Sequence, residues 1–136
     1  MNVGSISTVG SLTSLNSPTL AAGSNFFVSS QLDANSSPSL LLGYYDLSSS
    51  PTANSGTIQS PALTTASAAR VAASGDYVGV TFVSSNNVYF TLLRRTGTGL
   101  NAFTAVKSNV LVGAGTIACI SSHPYGWIVV YKTSNS

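Results

Sequence analysis

Charge is what this chain has least of. Only 6% of its 136 residues are Asp, Glu, Lys or Arg, against roughly 25% in an ordinary soluble domain. Glutamate is absent, and the ionic inventory is Asp33, Asp46, Asp76, Arg70, Arg94, Arg95, Lys107 and Lys132. Each shortage excludes a class of chemistry. Hydrolysis by paired carboxylates needs two acids held roughly 5–10 Å apart, and three aspartates scattered in or beside predicted turns are a poor source of such a pair. An Asp in a turn usually bonds its own backbone. A net charge of +2, with Arg94-Arg95 as the only adjacent basic pair, lacks the basic patch or stripe of a nucleic-acid binder.

Histidine and cysteine are just as scarce, with one of each. His123 lies in a predicted turn, Ser121-Ser122-His123-Pro124, with no G-x-S-x-G elbow beside it to supply a nucleophile. No C-x-x-C, H-E-x-x-H or calcium-loop spacing occurs, so neither a metal nor another cofactor is expected. A metal shared between copies through His123 is a weaker reading than a plain turn histidine. Cys119 cannot form an intrachain disulfide. It sits in the apolar run Thr116-Ile117-Ala118-Cys119-Ile120, which predicts a buried, inert thiol. The reading is therefore of a non-enzyme.

Long apolar runs are missing too. None approaches the roughly 20 residues of a membrane-spanning helix, so no membrane partner is expected. The segment Met1-Asn2-Val3-Gly4-Ser5-Ile6 has neither the basic nor the apolar region of a secretory leader. Synthesis in a reducing cytoplasm is the expectation.

What remains is apolar and uncharged. Hydrophobic residues make up 43% of the chain and mean hydropathy is +0.31, enough for one core in a single domain over residues 1–136. Residues 1–18 read as an extended N-terminal arm. The exterior must be Ser, Thr, Asn and Gly. Such a surface hydrogen-bonds to water yet can be packed against other subunits with few ions to desolvate.

The hydrophobic period is short, which predicts strands rather than helices. Candidate strands are 5–9, 19–22, 25–32, 39–45, 57–63, 70–73, 77–84, 88–95, 103–107, 116–121 and 126–132, several of them rich in Val, Ile, Phe, Tyr and Thr. Breakers separate them at 14–18, 34–38, 48–56, 74–76, 85–87, 96–99, 113–115 and 122–124. The best helical window, 62–73, is weakened by its Thr, Ser and β-branched residues. Residues 76–95 form the clearest unit, two β-rich runs around Ser84-Ser85-Asn86-Asn87, predicting an antiparallel hairpin. Arg94 and Arg95 then point to opposite faces.

Three stretches, 20–28, 71–80 and 117–129, share one plan: a small-residue strand, a polar turn and an aromatic-led strand. Gly75-Asp76-Tyr77-Val78 and Pro124-Tyr125-Gly126-Trp127 occupy matching places, a spacing of roughly 50 residues, within the range of propeller blades. The pattern resembles, weakly, the four-stranded blade of a β-propeller. A propeller needs at least about four blades, so closure would take several chains. An antiparallel β-sandwich or jelly-roll-like domain of about ten strands is the preferred fold, since sandwiches with turns every 8–12 residues produce such echoes. Propeller-type blades completed by oligomerisation are the alternative.

Gly97-Thr98-Gly99-Leu100-Asn101-Ala102 fits G-x-G-x-x-A, but a strand rather than a helix is predicted to follow, so it reads as a turn. His123, Tyr125 and Trp127, and the pair Tyr44-Tyr45, could stack on a pyranose ring if exposed, while a core role is the commoner one for such aromatics. Asn35-Ser36-Ser37 matches a glycosylation acceptor, which has no meaning without a secretory route. Phe26, Phe27, Tyr89 and Trp127 are expected in the core. The functional expectation is a structural subunit of a virus or phage particle, capsid-decorating or of a head or tail fibre. Its partners would be copies of itself, as a trimer or another cyclic assembly, and other capsid or tail proteins. An oligomeric carbohydrate-binding module is the second reading, with His123, Tyr125 and Trp127 as the ligand or interface residues.

Overall fold

The computed structural model describes residues 19–32, 40–46, 56–58, 66–97 and 103–133. The proposed arm, the first predicted strand and the Asn35 acceptor lie outside these. All the regular structure described is β. The first sheet contains β1 (Thr19–Ala22), β2 (Phe26–Leu32), β3 (Leu40–Asp46) and β4 (Gly56–Ile58), in that order. The second contains β5 (Ala68–Ser74), β6 (Tyr77–Ser84), β7 (Asn87–Arg95), β8 (Phe103–His123) and β9 (Gly126–Thr133), also in order. Every pairing is antiparallel. Both sheets are therefore meanders. A jelly roll would instead interleave its strands through Greek-key crossings.

The predicted central hairpin forms, with Val83↔Val88 and Ser84↔Asn87 closing it. Ser85 and Asn86 take φ values of 49° and 59°. Positive φ at both central positions defines the type I′ turn, whose twist suits a two-residue hairpin loop.

Alternation sorts the side chains by face. From the first sheet, Phe26, Val28, Leu42 and Tyr44 point toward the second; from the second, Ala69, Val71, Val78, Val80, Phe82 and Leu93 point back, and together they form one buried cluster. Phe103 joins it, its ring edge-on to Tyr44 at 5.1 Å and to Phe26 at 5.5 Å. The expectation for Phe26 is met. Phe27, on the opposite face of the same strand, is only half-buried, as are Tyr89 and Trp127. The sheets are joined at strands β1 and β5: Val71 N donates to Thr19 Oγ1 at 3.2 Å, and Ser24 N donates to the Gly75 carbonyl at 3.1 Å.

Strand β8 departs most from expectation. Residues 113–115, predicted to break the chain, are in the middle of one 21-residue strand. Its first half pairs with β7 and its second with β9. Register shifts between Val88 and Tyr89, Phe90 and Leu92, and Leu92 and Leu93 insert extra residues on the β8 side. Such bulges bend a strand and increase its twist. The bend carries the β8–β9 hairpin over the other face of β5–β7, where Ala118 packs with Val83 and Val88. Gly115 permits this closeness, because a Cβ there would stand 3.1 Å from Val88 Cγ2. Gly79 does the same in β6, where a Cβ would meet Trp127 at 2.7 Å and Ile120 at 2.8 Å. Glycine in these strands marks close approach rather than a stop.

Three hairpins share one register. The equivalent pairs Ala22↔Phe27, Ala73↔Val78 and Ser122↔Trp127 follow each other at spacings of 51 and then 49 residues. Equivalent positions meet equivalent surroundings. Val71 and Val78 pack toward the preceding unit, and their counterparts Ile120 and Trp127 pack toward Gly79 of theirs.

Candidate functional site

The β8–β9 turn brings the three sequence-predicted residues to one end of the molecule. His123 pairs with Gly126 across it, and His123 Nδ1 accepts a hydrogen bond from Tyr125 N at 3.3 Å. The imidazole thus has a structural task, holding the turn. Tyr125 is 94% exposed, with its ring 5.5 Å from that of His123. Trp127 points the other way, beneath the hairpin, 6.3 Å from Phe90. Beside them is a shallow cavity of about 200 Å³, bordered by Ser74, Tyr77, Leu92, His123 and Trp127. Ligand pockets usually run to about 300–1,000 Å³. Trp127 and His123 border this cavity together, whereas Tyr125 is not among its lining residues.

Three ionic residues, Arg94, Arg95 and Asp76, have structural partners. Arg94 and Arg95 do diverge: the Arg94 guanidinium covers the Tyr77 ring at 5.7 Å, and that of Arg95 covers Phe26 at 5.0 Å. Arg95 Nε also stands 3.5 Å from Asp76 Oδ1. Among the described residues no three His, Cys, Asp or Glu side chains come together as a metal site.

Neither a family model, nor a curated protein, nor a solved structure matches this chain. Its function must be argued from its surfaces.

One apolar surface was missed by the sequence reading. On the outward side of the β8–β9 hairpin, Ile117 is 53% exposed, Ile128 53% and Val130 66%. Cys119, expected in the core, is exposed here instead, paired with Val130 across the ladder. The physical reason is parity. In the run 116–120, Ala118 and Ile120 pack against the sheet beneath, so their neighbours Ile117 and Cys119 face out. A signal was available in Gly126-Trp127-Ile128-Val129-Val130-Tyr131, where both alternating sets are apolar. A strand apolar on both faces reads as one covered on both faces. The first sheet carries a similar exposed face, with Leu20 68% exposed and Phe27 half-buried beside it.

Proposed function

We propose that this chain is a non-enzymatic assembly subunit that works through its sheet faces, as a capsid-decorating or fibre component of a virus or phage particle. The observation that carries this reading is the exposed Ile117, Ile128 and Val130 face on a strand pair already covered on its other side. Contiguous apolar surface of this kind marks an interaction site in a soluble protein. The setting rests on composition: an exterior poor in ions suits packing into a lattice, and exposed Ser and Thr such as Ser121 and Thr133 can meet a neighbour with few charges to desolvate. The finer fold that goes with this role is a stack of blade-like units, supported by the common register of the three hairpins and by their face-to-face order. This is favoured over a two-sheet sandwich, which has no need of a third layer on β5–β7.

Sedimentation of the purified chain across a hundredfold range of concentration tests the role. Species heavier than the 13.8 kDa chain are expected to grow with concentration. A monomer throughout would end the proposal.

The cavity at Trp127 favours a second reading, a carbohydrate-binding module. Aromatic Trp127 and Tyr77 beside the His123 imidazole suit a sugar ring. Glycan-array binding lost in Trp127→Ala, with folding intact, would support it, and an array with no hits on the wild-type chain would remove it.

A further inference from the structure

We infer that the outward face of the β8–β9 hairpin docks on the outward face of the β1–β2 hairpin of a second copy of this chain, head to tail. The inference rests on the assembly reading above and assigns the faces that meet.

The template is within the molecule. In the first unit, Phe26 and Val28 present a leading face that is covered by the trailing face of the second, Val71, Val78 and Val80. The leading face of the second unit, around Gly79, is covered by Ile120 and Trp127 on the trailing face of the third. By register, Ile128 and Val130 are the third unit's equivalents of Val28 and Ser30, and of Gly79 and Thr81. Leu20 and Phe27 are likewise the first unit's equivalents of Val71 and Val78. One leading face and one trailing face are thus left open among the described residues, and each has the geometry that its counterparts use to bind the other. A second copy offers both.

Size and charge agree. The β8–β9 ladder runs through eight paired positions, about 26 Å, and the β1–β2 ladder through four, about 13 Å, each about 10 Å wide. Faces of that size fall below the roughly 1,000 Å² that a stable interface buries, so the contact is weak and concentration-dependent rather than permanent. The one ion on these faces is Lys132, at the exposed end of β9. Docking of this kind is heterologous, and it closes into a ring where the rotation permits.

The experiment uses two variants on the most exposed positions, Val130→Lys and Leu20→Lys, each checked for wild-type circular dichroism and melting. Each alone is expected to sediment as a monomer. Mixed, they are expected to recover a one-to-one pair, because each keeps the face that the other has lost. Cys119 provides a second readout without substitution. A bulky maleimide on this sole cysteine should abolish assembly of the wild-type chain, and assembly should slow the labelling at least tenfold. Wild-type assemblies that survive both variants and the label would overturn the inference while leaving the assembly role standing. Two variants that fail alone and fail to rescue each other would also overturn it, pointing to like-with-like contact. A wild-type chain that never associates would remove the inference and the role together.

Discussion

Thr81 is 1% exposed, and its buried Oγ1 has no hydrogen-bond partner among the described residues. It lies on the face of β6 that the β8–β9 hairpin covers, so water cannot easily replace a protein partner. A buried, unsatisfied hydroxyl costs about 1–3 kcal/mol. Valine has nearly the same shape without that group, so Thr81→Val is expected to raise unfolding free energy by about 1 kcal/mol. Urea denaturation measures this, and a loss of stability would show that the hydroxyl is in fact satisfied. Thr91, equally buried, contrasts with it. Its Oγ1 donates to Asn109 Oδ1 at 3.2 Å and accepts from Asn109 N at 3.0 Å. The same residue type is a cost at one site and a tether at the other.

At the scale of elements, β8 is held in its bent path by that tether. Asn109 has φ of 50°, in the left-handed region where Asn is tolerated better than most side chains. It falls at the register shift opposite Thr91, where β8 has an extra residue. Asn109→Ala removes the acceptor for Thr91 and strains the backbone, and should cost about 1–3 kcal/mol. Asn109→Gly removes only the acceptor and should cost less. Thermal melting of the pair checks the order; equal losses would mean that the left-handed backbone plays no part. The hairpin around Ser85-Asn86 was legible in sequence because local turn chemistry decides it, while its type I′ geometry came with the backbone angles. The bend in β8 was not, because Gly113 and Gly115 look like breakers until Tyr131 and Lys132 are seen pressed against them.

For the molecule as a whole, the described residues are held by stacked apolar faces. The Arg95–Asp76 salt bridge joins a mostly buried arginine to a half-exposed aspartate, and solvent at the aspartate weakens it. Salt screens exposed charges over about 10 Å at 0.1 M and about 3 Å at 1 M. The melting temperature should therefore shift by no more than about 2 °C between 0.05 and 0.5 M sodium chloride, whereas sulfate, which strengthens apolar burial, should raise it. A steep chloride dependence, read by calorimetry, would mean that ion pairs matter more than this picture allows.

Local pattern alone was enough to read the described residues as β and to place most of their strands, and it hinted at a plan repeated about every 50 residues. Those features follow from alternation, turn chemistry and side-chain type, all of which act over a few neighbours. Only the tertiary structure decided which apolar set each strand turns inward. Cys119 lies in an apolar run and is exposed, because a strand that crosses from one pairing to another inherits its facing from the ladder it joins. That facing depends on bulges and on contacts between residues some 50 positions apart, which no local pattern encodes.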